Sequence, residues 1–390
     1  MTAHFTPAPE ARLFGPASTP VPLSPPAPLP APGKRSETDL IRAALAAAPS
    51  ATFRLSPPDL HLGPAQREPS FETLTGGTTG TPRAIRRTQA SWIASFESNR
   101  AAWSLGPETR IATLGSLVHS LTLYGAFEAL HVGAEAHLLH GMRPDRQTEA
   151  LALRSITMIW ATPSQLRLLS GDPAPSVTRL LIGGGAFDAA TRDHARALFP
   201  NAEIHGFYGS AETSFISLDD RPCNGVEIEI RNPDESGTGE VWVRSPYLFQ
   251  GYADTPDPRR DDRGFTTVGE RGRMSGGLLH LAGRADRAVR IAEQTVQIEE
   301  VEAALLAMPG VTEAAVLPMP DPRRGTRLIA AYTGPAAPET LPLYALPPLA
   351  RPRPITRIAP EAWPRSPSGK TNLTALASML AETPGGEPAP

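Results

Sequence analysis

The stretch TGGTTGTPR, Thr75 to Arg83, gathers three glycines, threonine hydroxyls and a guanidinium into one loop. Gly76, Gly77 and Gly80 can adopt backbone angles closed to other residues, so that main-chain N–H groups turn toward a single anion, while Thr78 and Thr79 add hydroxyl donors. Arg83, fixed just beyond Pro82, adds a full positive charge. The chemistry this suits is the holding of a polyphosphate. A polar surface turn has the same composition, so the loop on its own leaves both readings open. It is not a Walker loop, because no Gly-Lys-Ser/Thr follows the first glycine at the required spacing.

The elements that must position such a loop can be read from periodicity. SETD, beginning at Ser36, looks like a capping box, and Leu40, Ile41, Ala44, Leu45 and Ala48 form an apolar stripe at helical spacing. Trp92, Phe96 and Trp103 recur at helical spacing after the loop and read as core packing. Between Ile111 and Gly209 the apolar runs AEAHLL, SITMIWA and TRLLIGG alternate with the helical stretches PSQLRLL and DAATRDHARALF. That alternation predicts a parallel sheet covered by helices, with ligands gathered at the carboxyl ends of the strands. Beyond Arg284 a smaller unit follows: helix EEVEAALLAM, then strands TEAAVLPMP and TRLIAAYT. Residues 1 to about 35 are rich in proline and alanine, which predicts an extended, poorly ordered or surface-hugging arm. No internal repeat is present.

Several segments, in order, resemble the adenylate-forming superfamily of acyl-CoA synthetases, aryl-CoA ligases and adenylation domains. The phosphate loop is similar to that family's Ser/Thr-Gly-Thr-Thr-Gly-x-Pro-Lys, with Gly76 for serine and Arg83 for lysine. LIGGGAF (Leu181 to Phe187), GFYGSAET (Gly206 to Thr213), GEVWVRSPYLFQGY (Gly239 to Tyr252), VGERGR (Val268 to Arg273), LAGRADRAVRI (Leu281 to Ile291) and PRSPSGKTNL (Pro364 to Leu373) continue the series. The resemblance covers roughly Phe71 to Leu376. It implies an α/β fold: a large N-terminal domain of sheets flanked by helices, and a small, mobile α+β C-terminal domain. With the arm at 1–35, the expected domains are a shortened ATP- and acyl-binding adenylation domain at 36–284 and a mobile domain at 285–390, with Asp286 at the hinge position.

The family's chemistry, as the resemblance implies, is attack of a carboxylate on the α-phosphorus of ATP, giving an acyl-adenylate and pyrophosphate, followed by transfer to a thiol, most readily CoA. Both reactants are anions, so positive charge and aligned donors must surround the phosphoryl centre. Glu212 falls at the family's Mg²⁺-binding glutamate. Thr75 to Gly80 and Arg83 would hold phosphates, with Thr78 and Arg83 acting in catalysis. Tyr208 would stack on adenine, with Gly184, Gly185 and Ala186 against its other face and Gly209 and Ser210 alongside. Glu270 would accept the ribose hydroxyls and Arg284 would contact the nucleotide. His119 and Gly206 would line the acyl site. Lys370 matches the lysine that enters during adenylation and bridges carboxylate and phosphate.

Departures from the pattern qualify this assignment. Ala211 lacks a hydroxyl that relatives place near the α-phosphate. Glu293 replaces a glycine beside the pantetheine tunnel, which bears on transfer to CoA or to an acyl carrier protein. Only about 70 residues precede the loop, so part of the usual N-terminal subdomain is expected to be missing, leaving a pocket wall open or supplied by a partner chain. The segment around His119 lacks the aspartate that amino-acid-activating relatives use, and an unpaired buried ammonium is costly. The expected substrate is therefore an aryl or aliphatic acid without an α-amine. A non-catalytic nucleotide-binding or assembly subunit is the rival expectation.

Bulk properties narrow the field. A formal charge of -3 argues against a general polyanion binder such as a nucleic-acid protein. The lone cysteine, Cys223, excludes an internal disulfide and a cysteine-rich zinc site. No apolar run reaches the length of a membrane span and the amino terminus lacks a signal-peptide pattern, so the expected location is the cytoplasm. The oligomeric state is not legible.

Overall fold

A computed structural model of the chain describes residues 3–23, 30–74, 83–185, 187–253, 259–284, 287–292, 294–322, 325–337, 343, 346–366 and 370–382. These residues form two compact units: Met1–Gly76, Pro82–Glu227 and Val243–Thr266 contribute to the first, Ile228–Trp242 and Thr267–Pro390 to the second, in each case for the residues described.

The chain opens with strands β1 (Arg12–Phe14) and β2 (Pro20–Val21) and helix α1 (Glu37–Ala47). Strands β3 (Thr52–Ser56), β4 (Asp59–Gly63), β5 (Ser70–Leu74) and β6 (Ala84–Thr88) follow, then α2 (Gln89–Trp103). Next come β7 (Arg110–Thr113), α3 (Ser120–His131), β8 (Glu135–Leu138), α4 (Pro144–Leu153) and β9 (Met158–Ala161). The run ends with α5 (Pro163–Leu168), β10 (Arg179–Ile182), α6 (Ala189–Leu198), β11 (Glu203–Ser210), β12 (Ser214–Leu218) and β13 (Arg221–Pro222).

Among the described residues, the main sheet of the first unit has the order β13-β12-β11-β10-β9-β7-β8-β1-β2, parallel from β11 through β1. β8 and β9 are buried along their whole length, as strands covered on both faces by helices must be. The alternation read from the sequence thus corresponds to real βαβ units. Helix α1 begins at Ser36 with the expected capping box, closed by Asp39, and its stripe of Leu40, Ile41 and Ala44 is fully buried. Trp92 and Phe96 lie in the core.

The proline-rich arm is more deeply engaged than its composition suggests. Phe5 is buried and stacks on Phe127, with ring centroids 4.4 Å apart. Gln89 accepts the Phe5 N–H at 2.6 Å and donates to the Ala48 carbonyl at 2.8 Å. β1 adds to the sheet beside β8, and Arg12 pairs with Glu135. Proline excludes helix and interior ladders but not a short added strand, and buried Phe5, Leu13 and Phe14 supply the anchor.

A buried polar network crosses the same core. Trp160 Nε1 donates to Glu128 Oε2 at 2.9 Å and Asn99 Nδ2 to Oε1 at 2.7 Å. Burial pushes the Glu128 carboxyl up to about 7, against those two hydrogen bonds.

The strands numbered β14 (Glu227–Arg231), β15 (Gly239–Arg244) and β16 (Gly251–Tyr252) come next. β16 adds to a second sheet of the first unit, ordered β16-β6-β5-β3-β4. β17 (Glu270–Ser275) and β18 (Leu278–Arg284) complete a four-stranded sheet, β14-β15-β17-β18. Then follow β19 (Ala288–Ile291), β20 (Gln294–Gln297), α7 (Ile298–Leu306), β21 (Glu313–Asp321), β22 (Gly325–Thr333), β23 (Ile355–Arg357) and α8 (Leu373–Glu382). The helix and two strands read from EEVEAALLAM, TEAAVLPMP and TRLIAAYT are all present. No helix among the described residues is long and apolar enough to cross a membrane.

Candidate functional site

The carboxyl edge of the main sheet carries the first cluster. β10 and β11 run parallel with Ile182 opposite Gly206, which sets the glycine run Gly183 to Gly185 level with Phe207, Tyr208 and Gly209. A side chain at Gly183 would meet the Phe207 ring at 2.2 Å, so only glycine lets that ring pack beneath the strand end. Gly184 and Gly185 are exposed and Tyr208 is half-buried; Ala186 lies outside the described residues.

β11 then breaks register at Tyr208/Gly209, where a Cβ on Gly209 would sit 2.0 Å from the Ser214 carbonyl oxygen. The turn beyond is locked by its own hydroxyls. Ser210 Oγ accepts the backbone N–H groups of Glu212 (3.2 Å) and Thr213 (3.1 Å), and Thr213 Oγ1 accepts that of Ser210 (3.2 Å). This self-contained turn lifts Glu212 out of both strands.

Two further segments grip Glu212. Its carbonyl accepts the Phe249 N–H at 2.9 Å. Its carboxylate Oε1 accepts the Tyr252 hydroxyl at 3.0 Å. Tyr252 is placed by antiparallel pairing of β16 with β6, where it faces Ile85. The guanidinium of Arg83 lies over the Tyr252 ring, 5.3 Å from its centroid. Burial first, and then the Glu212 charge, push the Tyr252 phenol up to about 12, so it remains a donor at neutral pH.

Arg83 thus links the predicted phosphate loop to the glutamate through one aromatic ring. The loop is the connection between β5 and β6; Thr75, Gly76, Gly77, Thr78, Thr79 and Gly80 themselves lie outside the described residues. His119 is brought to the same place: it bridges to Leu74, the last residue of β5, and the neighbouring Ser120 hydroxyl bonds Thr73 Oγ1 at 2.9 Å. The N-cap residue of α3, 45 positions away in sequence, is therefore set beside the last residue of β5.

The remaining predicted residues belong to the second unit. Glu270 and Arg284 are directly opposed on β17 and β18, and Arg284 Nη2 donates to the Val268 carbonyl at 3.5 Å. The Lys370 carbonyl accepts the Ser366 N–H at 2.7 Å, and Arg365 bridges to Thr371. These residues are anchored by Trp363 Nε1 donating to Thr371 Oγ1 (3.0 Å) and by the Arg365–Glu313 ion pair (2.5 Å). Lys370 and Lys34 are the only lysines among the 37 basic residues, so a lysine at this position is a departure from the chain's otherwise uniform use of arginine. Lysine supplies a compact point charge on a flexible stem, which a planar guanidinium does not. Asp286 and Glu293 lie outside the described residues.

Tyr252 and Arg87 are the participants that sequence reasoning missed. Tyr252 stood at the end of a matching segment but carried no role. In IRRT the two adjacent arginines must point to opposite faces of a strand, so one of them had to enter the interior.

A metal cage is not what these residues offer. Among the described residues no group of three or more His, Cys, Asp or Glu side chains is placed to hold an ion. A single half-buried carboxylate at a glycine- and hydroxyl-rich edge suits a hard cation that arrives with phosphate oxygens and water as its other ligands, as Mg²⁺ does.

Glycine-lined strand ends and a hydroxyl-locked turn at one edge of a parallel sheet define a nucleotide-binding α/β protein. The chain belongs to the AMP-binding enzyme family, the adenylate-forming acid–thiol ligases: that family's profile matches residues 28–253, and the AMP-binding enzyme C-terminal domain matches residues 300–370, ending on Lys370. The uncharacterized acyl–CoA ligase YhfT of Bacillus subtilis (strain 168) is 30% identical over 342 residues, 81% of this chain and 69% of that protein. The putative long chain fatty acid-CoA ligase VraA of Staphylococcus epidermidis is 27% identical over 274 residues, 67% of this chain, and the chain spans 60% of its length. Among solved structures, the amide bond synthetase McbA from Marinactinospora thermotolerans matches with a TM-score of 0.67 at 26% identity, covering 80% of this chain and 69% of that one.

Proposed function

We propose that the chain activates a carboxylic acid without an α-amine, aryl or aliphatic, by transferring AMP to it from ATP and then passes the acyl group to a thiol, CoA first among the candidates. In the first step a carboxylate oxygen bonds to the α-phosphorus as the bond to the β-phosphate oxygen breaks, and pyrophosphate leaves. In the second the thiolate sulfur bonds to the acyl carbon and AMP leaves. The observation that carries this reading is the gripping of Glu212 beside Tyr208, the glycine run and the ends of the Thr75–Pro82 loop, within the family-matching segment.

In this reading Glu212 would hold Mg²⁺, which would supply charge compensation to the phosphates. Arg83 and the loop's threonines orient the phosphates. Tyr208 and Gly184 to Ala186 enclose adenine, with Gly209 and Ser210 beside it, and Glu270 and Arg284 take the ribose. His119 and Gly206 border the acid. Lys370 neutralises the negative charge that builds between carboxylate and α-phosphate. The domain division proposed is 36–284 for binding and 285–390 for the mobile part, with Asp286 as hinge.

Carboxylate-dependent exchange of labelled pyrophosphate into ATP, over a panel of aryl, short-chain and long-chain acids with Mg²⁺, tests this. Folded protein giving no exchange with any acid overturns it. The acceptor is a separate question. Likeness to an amide bond synthetase favours one second reading, an amine acceptor, and product analysis with CoA, an acyl carrier protein and simple amines supplied in turn decides among them.

A further inference from the structure

Arg87 is the largest fully buried charged side chain among the described residues, 1% exposed in the interior of the first unit. Its Nη1 donates to the carbonyl of Ala211 at 2.5 Å and reaches that of Glu212 at 3.4 Å, and its Nη2 donates to the carbonyl of Tyr247. The guanidinium carbon lies 5.9 Å from the ring centroid of Trp92. Its neighbour Arg86 turns the other way and pairs with Glu72 at 2.7 Å. Arg87 therefore hydrogen-bonds to main-chain carbonyls and faces a ring, with the Glu212 charge near enough to favour its charged form, an arrangement that is expensive to bury and that a methionine would avoid.

What the guanidinium holds explains its place. Ala211 and Glu212 form the turn after β11, and Tyr247 belongs to the segment leading to β16. These two segments meet through the Phe249 N–H bond to the Glu212 carbonyl, and β16 then delivers Tyr252 to the Glu212 carboxylate. We infer that Arg87 is a positioning residue: its forked donors tie the Glu212 turn to the Tyr247–Phe249 segment and so aim the Glu212 carboxylate at the metal nucleotide from behind. This rests on the proposed role of Glu212. A guanidinium can span both segments because its donors diverge in one plane; an ammonium reaches one of them at a time.

The depressed basicity of Arg87, lowered to about 9 by burial, accords with a group shielded from solvent that acts through neighbouring backbone. Small displacements of a catalytic group carry large rate penalties, so a clamp on backbone two bonds from the metal-side residue has leverage on the chemistry without touching substrate.

The test compares wild type with Arg87→Lys and Arg87→Met. Three readouts are taken below each protein's melting temperature: Mg²⁺ dependence of binding of a non-hydrolysable ATP analogue, by calorimetry; amide hydrogen exchange over residues 207–216 and 245–252; and kcat and KM for pyrophosphate exchange. In Arg87→Lys the Mg²⁺ concentration for half-saturation rises about tenfold or more, the equivalent of one lost charge-assisted hydrogen bond. Exchange at the Glu212 and Phe249 amides accelerates, and kcat falls while KM for the acid changes little. Should Arg87→Met not fold, Arg87→Lys carries the comparison. Variants that bind Mg²⁺ nucleotide and exchange amides as wild type does overturn the positioning role alone. A wild-type protein that shows no Mg²⁺-dependent nucleotide binding overturns the reading of Glu212 and this role with it.

Discussion

Tyr252 donates its hydroxyl to the carboxylate of Glu212 at 3.0 Å while its ring receives the guanidinium of Arg83 on one face. Forty residues separate the two ends of that hydrogen bond. The carboxylate is thereby oriented from one side by a neutral donor, which would not compete with the proposed metal. Removing the hydroxyl alone, in Tyr252→Phe, keeps the ring and the packing, and loses about 1 kcal/mol of orientation, or roughly fivefold in kcat/KM for pyrophosphate exchange. Steady-state exchange at saturating Mg²⁺ measures it, with the melting temperature as control; unchanged kcat/KM would show that the contact is incidental.

Glu212→Gln retains the shape and the acceptor for Tyr252 but removes the charge. Exchange activity is expected to fall by about 10²-fold or more, as for the loss of one preorganised electrostatic group. The fold is expected to persist, because the turn is held by Ser210, Thr213 and backbone partners. Rates across a Mg²⁺ titration check this, and a variant with full activity at ordinary Mg²⁺ would overturn the proposed metal-holding role of Glu212.

Lys370→Ala is expected to lower adenylation by several orders of magnitude with much smaller effects on ATP binding, since in the proposed reaction its charge acts where negative charge builds during transfer. Single-turnover adenylate formation and equilibrium ATP binding separate the two effects. Equal loss in both would make Lys370 a binding residue. With Lys34, exposed, as the other lysine, amine-directed labelling resolved by peptide in the presence and absence of ATP reports on Lys370 with Lys34 as internal control.

Glu128 gives the fold a pH dependence of definite sign. Its carboxyl is raised from 4.5 to about 7 by burial, so the folded state holds a proton that the unfolded chain has already released. Its contribution to stability is fully present below about 4.5 and is lost progressively as pH rises to about 7, by up to about 3 kcal/mol. Urea unfolding of wild type and Glu128→Gln at pH 5 and pH 8 isolates this contribution from other titrating groups. The variant is expected to gain stability relative to wild type as pH rises, and a constant difference between the two would refute the assignment.

Phe5→Ala tests whether the amino-terminal arm belongs to the core. Loss of a fully buried phenylalanine costs about 3–5 kcal/mol, so a lowering of the melting temperature by several degrees is expected. A melting temperature within a degree of wild type would return the arm to the status of a surface strap.

Much of this was legible in the chain itself. Ser36 and Asp39 announce the cap of α1, the apolar runs from Ala134 to Gly183 announce β8, β9 and β10, and glycines after β10 and within β11 announce where a ligand can approach. These features are local: capping, period and backbone freedom depend on residues a few positions apart, so the sequence alone determines them. The order of family-matching segments is likewise linear information. Which groups meet was decided only by tertiary structure. Tyr252 reaches Glu212 because β16 pairs with β6 in one register, Arg87 enters the interior because β6 turns that face inward, and Phe5 is buried although its proline-rich surroundings favour exposure. A shift of one residue in that register would exchange the faces of every side chain, and no property of a single segment specifies its partner. Long-range pairing is settled by the summed packing of the whole core, which is why the family-matching segments could be read from the sequence while the contacts among them could not.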